Sequence, residues 1–203
     1  MVYLYGASGH AKVVIEILEL RKAIISGLID NNPGIKTLLD YPVYSAIKEP
    51  SHDNIEILIS IGDNVTRKKL AETLDVKFIN AIHPSAHISP RCIMGEGAVV
   101  MAGVTVNSNV VIGKHAILNT NCSIDHDCIL GDYVHVSPNV ALAGNVSIEE
   151  GAHIGIGACI IQGVKIGKWA IIGAGATIIR DVPDYAVVVG NPGKVIKYQH
   201  LGS

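Results

Sequence analysis

The run Ile112-Gly113-Lys114-His115-Ala116-Ile117-Leu118-Asn119-Thr120-Asn121-Cys122-Ser123-Ile124-Asp125-His126-Asp127-Cys128-Ile129-Leu130 repeats a six-residue pattern. A large aliphatic residue opens each hexad (Ile112, Leu118, Ile124, Leu130), and a compact one follows four places later (Ala116, Cys122, Cys128). The same register holds without a slip from Ile88, through Met94 and Val100, to Ile178, Val182 and Pro183. Ile82 and Ala86 add one more hexad upstream. A period of six matches neither the 3.6-residue helix nor simple strand alternation, so it predicts a solenoid.

Three hexads closing one triangular coil place residue i over residue i+18, about 4.8 Å away, the ordinary strand spacing. Each coil then points its large and small residues inward and pairs its backbone with the next. Gly, Asn or Asp often follows the large residue, as at Gly95, Asn107, Gly113, Asn119, Asp125, Gly131, Gly155, Gly167 and Gly173. These types tolerate left-handed backbone, so corners are expected there.

The preceding residues read differently. Val2 to Tyr5 is an apolar strand ending in Gly6-Ala7-Ser8-Gly9-His10, followed by an amphipathic helix over about Ala11 to Arg21. Strands are expected near Ile24–Ile29, Ile55–Ile61 and Val76–Ile82, with a helix from Asn64, as N-cap, to about Leu74. Residues 35–54 read as loop-rich, because Tyr41-Pro42 and Glu49-Pro50 break a helix. Alternating strands and helices predict a small Rossmann-like α/β domain over residues 1–80, ahead of a β-helix over 81–183. Residues 184–203 are expected to cap the solenoid's open end with one apolar strand and a Gly/Pro turn.

With 203 residues and a formal net charge of −2, nothing marks nucleic acid or an anionic membrane as partner. No apolar run reaches membrane-spanning length and the opening residues lack a signal-peptide pattern, so a cytoplasmic location is expected. Cys92, Cys122 and Cys128 fall on the compact inward position and Cys159 one place beyond, which predicts packing rather than disulfides or zinc.

Chemistry is expected where polar residues interrupt the repeat. His126 and Asp127 lie between inward positions 124 and 128 and so face outward or toward a corner. Such a pair is either a general base with its orienting acid or a solvated corner. His135 and His153 share one hexad offset a coil apart and should stack, whereas His115 sits at another offset. No two of His115, His126, His135 and His153 are five residues apart, the spacing of two zinc ligands in γ-class carbonic anhydrases, so no metal is expected. The Gly6–His10 turn lacks the full G-x-G-x-x-G fingerprint. It either aims backbone N–H groups at an anion or closes the strand–helix connection without a ligand. Asp30 could meet a ribose or base edge, or cap a turn.

On its repeat the chain resembles the hexapeptide-repeat acyltransferases, which implies a left-handed parallel β-helix. On Tyr5-Gly6-Ala7-Ser8-Gly9-His10, Ile61-Gly62-Asp63-Asn64-Val65-Thr66-Arg67, His83-Pro84-Ser85-Ala86, Leu118-Asn119-Thr120, Ile124-Asp125-His126-Asp127, Tyr133-Val134-His135-Val136-Ser137-Pro138, Ala143-Gly144-Asn145 and Gly190-Asn191-Pro192, it resembles the two-domain bacterial sugar acetyltransferases. These act on UDP-4-amino-sugars of bacillosamine-type glycans, and the sialic-acid O-acetyltransferases share their layout. The resemblance implies acetyl-CoA as co-substrate, with His126 as general base and Asp127 as its orienting carboxylate. It implies His135 and the Gly144 amide at the thioester, Ile156 and Ala174 along the pantetheine channel, and Ser8, Gly9, His10, Asp30, Asn31 and Gly62 at the nucleotide-sugar. Asp127 departs from the Glu that the amino-sugar enzymes often carry. A homotrimer is also implied, with the donor between adjacent prisms; if His126 and Gly144 lie on facing subunits, a monomer should be inactive. The alternatives are O-acetylation of a sialic acid and a non-catalytic nucleotide-sugar-binding scaffold.

Overall fold

The computed structural model describes residues 1–46 and 55–199. Its N-terminal part runs β1 (Val2–Tyr5), α1 (Gly9–Leu20), β2 (Ile25–Ile29), β3 (Thr37–Leu38), β4 (Tyr41–Tyr44), β5 (Glu56–Ile59), α2 (Asn64–Thr73) and β6 (Lys77–Phe78). The sheet order is β3-β4-β2-β1-β5-β6, parallel except for the antiparallel β3–β4 pair. β1 and β5 are almost continuously apolar because both faces of a parallel sheet are covered. α1 buries Ala11, Val14, Ile15, Ile17 and Leu18.

Three sequence expectations shift here. Part of the segment expected as loop forms the β3–β4 hairpin, since Pro42 excludes a helix but not a short strand; residues 47–54 of that expectation lie outside the described residues. The N-cap of α2 is Asp63, whose Oδ1 accepts from the Thr66 N–H at 2.8 Å, and Asn64 is the first helical residue. The strand expected over Val76–Ile82 divides: β6 joins the N-terminal sheet, while Ala81–Ile82 pairs with Val99–Val100. Between them the Asn80 side chain accepts from the Ala98 N–H at 2.9 Å and turns the chain into the first coil.

From Ala81 onward, two-residue strands wind into a left-handed parallel β-helix with three faces. The first face stacks Ala81–Ile82, Val99–Val100, Ile117–Leu118, His135–Val136, His153–Ile154 and Ile171–Ile172. The second stacks His87–Ile88, Thr105–Val106, Ser123–Ile124, Ala141–Leu142, Cys159–Ile160 and Thr177–Ile178. The third stacks Ile93–Met94, Val111–Ile112, Ile129–Leu130, Ser147–Ile148 and Lys165–Ile166. The large and compact positions of the hexads form one continuous core, with Ile82, Ala86, Ile88, Cys92 and Met94 packed at its N-terminal end.

The left-handed corner residues are not those that follow the large aliphatic. They lie two places later, as at Asn109 (φ +60°), His115 (+53°), Asn121 (+58°) and Asp127 (+60°). Glycine after the large residue serves close approach instead. A Cβ on Gly113 would stand 2.5 Å from the backbone nitrogen of Asp132 in the next coil.

The C-terminal segment contributes two strands rather than one. Ala186–Val189 adds in parallel to Ile171–Ile172, and Lys194–Tyr198, which carries Lys194, pairs antiparallel with it. The hairpin therefore extends the first face.

The N-terminal part docks on that same face. Val2, Leu4, Ala11, Val14 and Ile15 share a buried cluster with Ala81, Val99, Met101 and Ile117 of the solenoid. Arg67 of α2 fastens the seam. Its buried guanidinium donates to the carbonyls of His115 (2.8 Å), Tyr133 (2.8 Å), Ile61 (3.1 Å) and Gly62 (3.1 Å), and to Asn64 Oδ1 (2.9 Å). Burial lowers its pKa to about 10.

Candidate active site

His126 stands on the turn between Ser123–Ile124 of the second face and Ile129–Leu130 of the third. It therefore lies on the prism edge opposite the first face. Asp125 Oδ1 accepts from the His126 N–H at 2.8 Å and fixes the approach to the turn. Asp127 takes the left-handed corner, which Asp tolerates better than most residues.

The carboxylate reaches the ring despite its short side chain. Asp127 Oδ2 lies 2.7 Å from His126 Nδ1. An ionised carboxylate only accepts, so Nδ1 carries the hydrogen and Nε2 is left as the basic nitrogen. The hydrogen bond to Asp127, then the charge of Asp125, raises the His126 pKa above its ordinary value. Asp127 is held below the usual carboxylate range by His126 first and Asn109 second. The His126 side chain is 58% exposed, open to a substrate.

Gly144 lies one coil further on the same edge, in the same chain as the ring it meets. A Cβ there would come within 2.7 Å of His126 Cε1, so the imidazole rests against bare backbone. The two residues therefore meet within one chain. Cys128 is fully buried beside this edge and Cys122 beside the edge between the first and second faces, and burial pushes the Cys122 thiol up to about 12. Neither is a thiolate nucleophile for the site.

Ile156 and Ala174 are stacked a coil apart on the edge between the first and second faces, the Gly175 N–H donating to the Ile156 carbonyl at 2.8 Å. Ile156 is exposed. His135 is elsewhere, on the first face and buried against the N-terminal part. Its ring stacks on His153 as the register requires, with centroids 4.7 Å apart. The Asn119 amide donates to its Nε2 at 3.2 Å, and burial lowers its pKa to about 3. Together with Gly62, Asp63 and Trp169, His135 and His153 line a cavity of about 350 Å³ at the start of α2.

At the N-terminal domain, Ser8 is the N-cap of α1 but its hydroxyl makes no capping bond, and Ser8 and Gly9 are exposed. His10 follows with a buried Nε2 that has no hydrogen-bond partner among the described residues. Burial, then the nearby charge of Arg67, lowers its pKa to about 4. Asp30 caps a turn: its oxygens accept from the Ala7 N–H and the Asn32 N–H, each at 2.8 Å. Asp30 and Asn31 also border a cavity of about 190 Å³ with Tyr5, Gly6 and Ile61.

Residues 1–74 match the family model of the PglD N-terminal domain, and residues 145–180 that of the bacterial transferase hexapeptide (six repeats). A variant of perosamine N-acetyltransferase from Caulobacter crescentus, solved with CoA and GDP-perosamine, superposes with a TM-score of 0.90 at 40% identity, over 97% of this chain and 96% of that one. The chain belongs to the hexapeptide-repeat sugar N-acetyltransferase family. The acetyltransferase domain of PglB from Neisseria gonorrhoeae FA1090, in complex with acetyl coenzyme A, matches at 35% identity and a TM-score of 0.89, over 96% of this chain and 98% of that one. The UDP-N-acetylbacillosamine N-acetyltransferase of Bacillus subtilis (strain 168) is 38% identical over 111 residues, 50% of this chain and 51% of the relative. The chain thus aligns with about half the length of that curated relative. Among the described residues no helix is long and apolar enough to cross a membrane.

Arg67 and Asn109 carry structural weight that the sequence reading did not assign. Only the offset of 18 between Asn109 and Asp127 signalled the second of them.

Proposed function

We propose that the chain transfers the acetyl group of acetyl-CoA to the 4-amino group of a nucleotide-linked amino sugar, in one step within a ternary complex. The observation that carries this reading is the exposed His126, hydrogen-bonded to Asp127 and resting on Gly144. His126 Nε2 takes a proton from the amine as nitrogen bonds to the thioester carbonyl carbon. The carbon–sulfur bond then breaks, and the imidazolium returns its proton to the departing thiolate of CoA. The Gly144 amide is the proposed donor to the carbonyl oxygen. The side-chain-free surface at Gly144 is compatible with a thioester beside the ring.

Acceptor binding is assigned to the N-terminal domain. The uncapped start of α1 at Ser8, Gly9 and His10 suits a diphosphate, with Asp30, Asn31 and Gly62 around it. This domain sits on the first face, while His126 sits on the opposite edge. That separation supports a site completed between chains, most simply in a homotrimer, with His135, Ile156 and Ala174 of one prism approaching the His126 edge of another.

The test is a panel of acceptors offered with acetyl-CoA: UDP- and GDP-linked 4-amino sugars and free sialic acid. Thiol release matched by N-acetylated nucleotide sugar supports the reading. Release with sialic acid alone would make the enzyme an O-acetyltransferase, and binding without release would make it a scaffold.

A further inference from the structure

The coil before His126 supplies a residue that reaches its carboxylate partner. Asn109 and Asp127 occupy the same corner position one coil apart, both left-handed at φ +60°. The Asn109 Nδ2 donates to Asp127 Oδ1 at 3.2 Å, while Oδ2 accepts from His126 Nδ1 at 2.7 Å. Both oxygens of a half-exposed carboxylate are therefore tied, one to the base and one to the solenoid. A free Asp of this exposure would rotate about its last torsion, which is broad and soft.

We propose that Asn109 is a positioning residue for the reaction: its amide locks the Asp127 carboxylate in the orientation that holds the His126 ring and its tautomer. The proposal rests on the reading of His126 as base. Asparagine suits the place because it combines an amide donor with tolerance of the left-handed corner. The charged groups acting on His126 are Asp127 and Asp125 of its own turn. The adjoining coils put Asn107 and Asn109 against those carboxylates and Gly144 against the ring, and none of these titrates.

The experiment compares wild type, Asn109→Gly, Asn109→Asp, Asp127→Asn, the Asn109→Gly/Asp127→Asn double variant and His126→Ala. Steady-state kinetics are followed from pH 5.5 to 9, with melting temperatures alongside. Asn109→Gly keeps the backbone conformation and removes the donor; Asn109→Asp keeps the shape and also removes the donor. Both should lower kcat about tenfold with KM for each substrate unchanged. The acid limb of the Gly variant should move to lower pH as the ring loses its oriented partner. That of the Asp variant should lie above the Gly variant's, since an added carboxylate favours the imidazolium. In the Asp127→Asn background the Asn109→Gly loss should vanish, because the two act as one unit. An unmoved kcat and limb, or an Asn109→Gly loss that persists undiminished beside Asp127→Asn, overturns the proposal while inactive His126→Ala leaves the base standing. An active His126→Ala overturns both.

Discussion

The imidazole of His126 lies against the bare Cα of Gly144, one coil on, so closely that a single methyl group at residue 144 would stand 2.7 Å from its Cε1. The repeat itself makes the contact, since an offset of 18 stacks the two residues on one edge. Gly144→Ala should therefore displace the ring without straining the backbone, because Gly144 is not among the positive-φ glycines. A fall of about 10- to 100-fold in kcat is expected, with the melting temperature kept. Steady-state kinetics beside a thermal melt check it.

Asp127 acts on the base through a hydrogen bond that favours the imidazolium, so it raises the His126 pKa from the ordinary 6.5. The acid limb of kcat against pH should lie above that value. Asp127→Asn removes the charge-assisted bond, which lowers the pKa, so the limb should move to lower pH while the maximal rate falls about tenfold or more. A pH–rate profile of the two proteins decides the sign.

Arg67 joins the parts of the chain through carbonyls rather than carboxylates. Arg67→Leu would strand the carbonyls of His115 and Tyr133 in a buried seam, at a cost of about 3 kcal/mol or more. Arg67→Lys should recover only part of it, since a point charge cannot replace a five-donor fork. Urea unfolding of the three proteins measures both steps.

Burial depresses the pKa of His10 and His115 to about 4 and of His135 to about 3. In the unfolded chain these rings take a proton near pH 6.5, so between that pH and about 4 the unfolded state binds more protons than the native one. Stability should fall as pH drops through this window, by up to about 1.4 kcal/mol per pH unit for each ring. His115→Asn, which fits the left-handed corner at φ +53°, should flatten the slope of urea midpoint against pH.

Much of this architecture was legible because the solenoid core depends on one period. The aliphatic spine from Ile88 to Ile178 set the faces, the stacking of His135 on His153, and the outward turn of His126. The corner chemistry was less legible. Glycine after the large residue answers a steric demand from the next coil, as at Gly113, and mimics the conformational demand that Asn109 and Asp127 meet two places later. The sequence around Arg67 gives it no partner; only the docked solenoid reveals the carbonyls that need it. The β3–β4 hairpin was hidden by Pro42, which excludes a helix without revealing a short strand. The distance between the His126 edge and the first face is a property of the closed triangle, beyond any local reading.

The most direct measurement is the kcat of His126→Ala for acetyl transfer to a nucleotide-linked 4-amino sugar. It should be made at the pH optimum, with CoA affinity and melting temperature followed in parallel. The account predicts a loss of about 10²- to 10⁴-fold with binding and stability retained. Turnover near that of the wild type would contradict it.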